Sequence, residues 1–92
     1  MVLIIADEAA AREVFGELFA LRGYDVVLAA SARDGLRAAR NRRVGVIVLA
    51  VATGVTQLRR KLQQLRPLAR VHVTGMMPLF GDALAPLAQH LH

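Results

Sequence analysis

Four short apolar runs are separated by three stretches of helical periodicity, and this alternation limits the chain to few architectures. Val2-Leu3-Ile4-Ile5-Ala6 is an unbroken apolar run, as suits a strand covered on both faces. Tyr24–Ala29, Val44–Val51 and Arg70–Thr74 read as three more strands, the third being the most apolar, with four valines and an isoleucine. Strands alternating with helices of about 10–15 residues imply βαβ units and a parallel sheet. Right-handed crossovers then place helices on both faces. The expected fold class is therefore α/β, a doubly wound parallel sheet.

The connecting segments carry helix signals at their ends. Asp7 stands where an N-cap belongs, Ala9-Ala10-Ala11 are strong helix formers, and Val14, Phe15, Leu18 and Phe19 keep helical spacing as far as Arg22. Gly23 is the expected left-handed stop. Gly16 within this helix reads either as a close packing contact or as a tolerated solvent-face glycine. Ser31 with Asp34 three residues on approximates a capping box for a helix that turns Leu36 and Ala39 inward. Val55, Leu58, Leu62 and Leu65 recur at helical intervals until Pro67. After Gly75 the pattern weakens: Met76–Gly81 is an apolar loop, and Asp82 caps a last helix with Leu84, Leu87 and Leu91 on one side.

A chain of 92 residues makes one domain, 1–92, divided into a core at 1–75 and a divergent segment at 76–92. Its 55% hydrophobic content excludes a disordered tail. No apolar run approaches the ~18–20 residues of a membrane span, and the start of the chain lacks the basic region of a secretory signal. Cysteine is absent, which excludes disulfides, thiolate metal sites and a cysteine nucleophile. The expectation is a soluble cytoplasmic domain with no membrane contact.

Taken in order, these residues resemble the receiver domain of bacterial two-component response regulators, a flavodoxin-like fold. The resemblance rests on Val2–Asp7 as a strand leading into acidic residues, Gly23-Tyr24 after the first helix, Val26–Ala29, the helix Ser31–Arg40, the strand ending at Ala50, and Thr74 closing the fourth strand. It implies a truncated receiver-like (βα)4 unit with strand order 2-1-3-4. It also implies that the phosphoacceptor position holds Ala50, which has no carboxylate to form an acyl phosphate. Ala6 takes the place of one metal-binding acid, leaving Asp7 followed by Glu8. The phosphate-pairing lysine is missing, since Lys61 lies on the third helix and no fifth strand is visible. Asp7, Glu8 and Thr74 are then vestigial positions in a pseudo-receiver with no cofactor and no bound metal. The simpler reading of Asp7 and Glu8 is an N-cap and a first-turn acid, for which capping and dipole effects suffice.

Charge is uneven along the chain. Residues 1–32 balance to −3, residues 33–70 to +9 and residues 71–92 to −1, giving the net +5. Arg33, Arg37 and Arg40 form one helical stripe, while Arg59, Arg60, Lys61 and Arg66 decorate the third helix. These are candidate anion contacts and carry the alternative reading, a basic nucleic-acid-binding module. The aromatic residues Phe15, Phe19, Tyr24 and Phe80 all lie outside the cluster, which disfavours it. His72, His90 and His92 do not converge as zinc ligands, and no triad or phosphate loop is present, so an enzyme is not expected.

Truncation leaves the fourth strand as a sheet edge and parts of the first helix and first strand without a cover. Val71, Val73, Met76, Met77, Leu79, Phe80, Leu84, Leu87 and Leu91 are the candidate interaction residues. The function expected from the resemblance is a phosphorylation-independent protein-interaction or dimerisation module in bacterial signalling. Its partner would be another protein, in the first instance a second copy of the chain.

Overall fold

The computed structural model describes residues 1–74. In order they form β1 (Val2–Ala6), α1 (Ala9–Leu21), β2 (Val26–Ala29), α2 (Ala32–Asn41), β3 (Val46–Ala50), α3 (Val55–Leu65) and β4 (Arg70–Val73). All pairings are parallel, and the sheet runs β2-β1-β3-β4, the order expected from the sequence. The candidate residues Met76, Met77, Leu79, Phe80, Leu84, Leu87 and Leu91, and the cap at Asp82, lie outside the described residues.

Side-chain alternation along the strands divides the core into two layers. Val2, Ile4, Ala6, Val48 and Ala50 face α1 and pack with Ala11, Phe15 and Phe19. Leu3, Ile5, Ile47 and Leu49 face the other way, onto Ala39 of α2 and Leu58 and Leu62 of α3. β1 is therefore buried along its whole length. Each fully buried large side chain contributes roughly 1.5–3 kcal/mol. The central strands carry most of these.

Helix ends follow local chemistry in most places. Gly23, at φ 88°, stops α1, and its N–H donates to the Ala20 carbonyl at 3.0 Å. Ser31 caps α2, its hydroxyl accepting from the Asp34 N–H at 3.1 Å. Gly54, at φ 71°, takes the cap position of α3, where a side chain would be strained. β2 begins at Val26 rather than Tyr24, because Tyr24 turns its ring edge-on to Phe19, with centroids 6.4 Å apart. β3 begins at Val46 rather than Val44. Its preceding residue, Gly45, is spent on joining the neighbours, its N–H donating to Met1 and its carbonyl accepting from Arg70.

Two helix glycines are packing positions. Gly16 is buried against Leu28 of β2, which decides between the two readings of that residue. Gly35 of α2 lies directly on Ile5 of β1, where a Cβ would overlap the isoleucine side chain.

Candidate functional site

All four strands point the same way, so their carboxyl ends gather Ala6, Asp7, Ala50 and Thr74 at one end of the sheet. Ala6 and Ala50 are partners in register, and both are fully buried. Their methyl groups belong to the apolar layer beneath α1, with Ala11 and Phe15. Thr74 follows the Leu49–Val73 pair and is half-buried, with its N–H donating to the Leu49 carbonyl at 2.9 Å. The strand ends meet, but two of them bring no oxygen-bearing side chain.

Asp7 does not cap α1. The cap position is Glu8, which makes no side-chain capping bond and is exposed. The Asp7 carboxylate instead turns across the sheet end, where Oδ2 accepts the Ala52 N–H at 3.2 Å. That bond ties the start of the β1–α1 turn to the β3–α3 loop. The capping expectation fails because a carboxylate near a helix start can serve any nearby orphan N–H, and the Ala52 N–H lies in the loop just after the neighbouring strand.

Arg12 is the member of this site that local reading did not single out. Its Nη1 donates to the Ala6 carbonyl at 2.9 Å, so a half-buried guanidinium sits over the end of β1. Side chains on a helix lean toward its N-terminus, and Arg12 stands one turn into α1, which is the sequence signal for this reach.

A magnesium ion of the kind the receiver resemblance implies needs near-octahedral oxygen ligands. Ala6 and Ala50 supply none from their side chains, the Asp7 carboxylate is engaged by Ala52, and Arg12 already brings positive charge to the Ala6 carbonyl. The residues present do not fit that ion. Among the described residues no group of three or more His, Asp or Glu side chains could hold a metal.

The arginines divide into two kinds. Arg33, Arg37 and Arg40 on α2 and Arg59 and Arg60 on α3 are exposed, on two helices that pack against each other on the same face of the sheet. Phe15, Phe19 and Tyr24 lie on the opposite, α1 side, and Phe80 is outside the described residues. Arg66 is not a surface decoration. Its Nε donates to Ala39 at 2.8 Å, and its Nη2 donates to Arg42 at 3.0 Å and to Arg40 at 3.3 Å, closing the carboxyl end of α2 from α3. Carbonyls at a helix end lack internal partners, and a cation there also meets the negative end of the helix dipole. Arg66→Ala is expected to cost about 1–2 kcal/mol in urea unfolding, because charge-assisted bonds are lost from a partly wet site. Arg66→Lys recovers little of it, since one ammonium cannot reproduce the planar fork.

Of the candidate interaction residues described, Val71 is half-buried against the α2–α3 layer and Val73 is 48% exposed. β4 is the outermost strand on its side of the sheet among the described residues.

Over 97% of its length the chain superimposes on 95% of the receiver domain of the hybrid histidine kinase CckA, with a TM-score of 0.79 and 24% identity. This is a receiver fold. The chemotaxis protein CheY4 of Vibrio cholerae shares it at a TM-score of 0.63 and 16% identity, over 99% of this chain and 97% of that one. No protein-family model matches the chain, and no curated protein matches it. The receiver fold is thus carried by a sequence that differs widely from those two. No helix among the described residues is long and apolar enough to cross a membrane.

Proposed function

We propose that this chain is a receiver-type module of bacterial signal transduction that works without an aspartyl phosphate. The observation that carries the reading is the end of β3. There the buried Ala50 presents a methyl group where the resemblance puts the phosphoacceptor, beside the equally buried Ala6. The Asp7–Ala52 bond supports it, because it engages the one carboxylate that a cation-assisted phosphoryl transfer would draw on here, and Arg12 brings positive charge to the adjoining Ala6 carbonyl. On this reading the module is not an enzyme and needs no cofactor. It acts in the cytoplasm through contacts with protein, foremost a second copy of itself. The half-exposed Val73 at the outer strand favours that mode, since such edges invite pairing with another chain.

Two measurements test the two halves of the reading. Incubation with radiolabelled acetyl phosphate and magnesium is expected to leave the protein unlabelled, and label on Asp7 or Glu8 would refute phosphorylation independence. Sedimentation velocity over a wide concentration range is expected to show a species near twice the 10.0 kDa chain mass. A monomer at every concentration removes self-association and leaves an external protein as the partner.

A further inference from the structure

At the opposite end of the sheet, where the strands begin, Val44 and Gly45 before β3 and the turn from Leu65 to Ala69 after α3 enclose an open cleft of about 230 Å³. That is below the ~300 Å³ at which small-molecule pockets begin, so the cleft has room for one or two side chains rather than a cofactor. Its lip carries Leu68, a leucine 97% exposed to water. Among the described residues the charge flanking the cleft is of one sign: Arg42 and Arg43 lead into Val44 and are exposed. The described carboxylate residue at this end, Asp25, precedes β2 and is separated from the cleft by the whole width of β1.

We infer that this cleft is a docking site for an acidic peptide segment of a protein partner, anchored by one apolar side chain beside Leu68 and held by Arg42 and Arg43. Charge selects this occupant. A second copy would set the same arginines against one another, which is destabilising at close range. Residues 75–92 of the chain itself carry Asp82 as their one acidic residue and complement the rim poorly. A nucleic acid matches the charge but leaves the apolar lining unused, with no aromatic lining residue for a base to stack on. The inference goes beyond the proposed signalling role and does not depend on it, since the site shares no residue with Ala50, Asp7 or the outer face of β4.

The test is a titration of the isotope-labelled full chain, followed by amide resonances, with a synthetic peptide of two leucines flanked on each side by three glutamates. Saturating shifts are expected at Gly45, Leu65, Leu68 and Ala69, with a dissociation constant on the order of 100 μM for so small an anchor. Leu68→Ser and Arg43→Glu are each expected to weaken binding at least about fivefold, on the scale of losing one anchor or one charge pair. Both positions are exposed, and an unchanged melting temperature shows that the variants remain folded. Absence of shifts at these amides up to millimolar peptide overturns the inference. So does equal binding by the peptide with glutamines for glutamates, or by a short DNA duplex. Concentration-dependent shifts at the same amides without peptide assign the cleft to a second copy, and peptide-induced shifts undiminished in Arg43→Glu show that charge does not hold the peptide; either result overturns it as well.

Discussion

Gly35→Val is expected to lower stability by about 3 kcal/mol, while Gly16→Ala raises it by about 0.5–1 kcal/mol. The two glycines lie on different helices and both are buried, so burial does not separate them. What separates them is the neighbour that must yield. A Cβ at Gly35 overlaps Ile5, which is completely buried and flanked in register by Ala29 on one side and Leu49 on the other. Ile5 has no empty volume to move into, and valine adds two further methyl groups to the conflict. A Cβ at Gly16 comes within 3.0 Å of Leu28 Cδ2, but Leu28 is 48% exposed and can turn its end into water. The helix then gains from replacing glycine by alanine. Domains of this length have a total stability of roughly 5–14 kcal/mol, so the valine variant loses a large share of it. Urea unfolding midpoints check the pair: the valine midpoint falls, the alanine midpoint holds or rises, and both slopes stay at the parent value. A stable Gly35→Val variant would mean that α2 stands further from β1 than the packing of Gly35 on Ile5 requires.

These two residues also show what local reading can see. The strands were legible because Val2–Ala6 and Val46–Ala50 are unbroken apolar runs, and their order was legible through the receiver resemblance. The helices were legible because Leu58 and Leu62, or Ser31 and Asp34, sit at distances fixed by the helical turn. Gly16 drew notice as a glycine inside a strong apolar helix, whereas Gly35 did not, lying close after the Ser31 cap. Its spacing of four from Ala39 marks a face of small residues and was the available signal. The alanines at the strand ends were legible through the receiver resemblance. The use made of the polar groups around them was not. Asp7 binds 45 residues away, and Arg66 reaches back 27 residues to Ala39. Each satisfied a long-range orphan where the local pattern offered an equally good partner, a helix cap for Asp7 and solvent for Arg66. Side chains with several competing uses are decided by tertiary proximity, which periodicity does not encode.

Ala50→Asp is expected to destabilise the protein by about 3–5 kcal/mol at neutral pH and to leave it unresponsive to magnesium. Position 50 is fully buried in the apolar layer with Ala6, Ala11 and Phe15, so a carboxylate there loses its hydration. Burial disfavours the charged form and raises the folded-state pKa of the introduced carboxyl above its unfolded value. The folded state then holds the extra proton more tightly, so stability relative to the parent is lost as pH rises from about 4 toward the raised pKa and is regained in acid. Arg12 opposes this trend, because its guanidinium lies at the end of β1, the neighbouring strand. Were that pairing dominant, the pKa would fall and the variant would become more stable as pH rose. Desolvation is expected to win, since Arg12 is only half-buried and already donates to the Ala6 carbonyl. Unfolding midpoints at pH 4 and pH 7, with and without Arg12→Ala, separate the two effects. A midpoint that drops between those pH values, and drops further without Arg12, is the expected pattern. A midpoint that magnesium restores at pH 7 would show that Asp7 can leave Ala52 to complete a cation site, and would overturn the finding that the residues around it do not fit the ion.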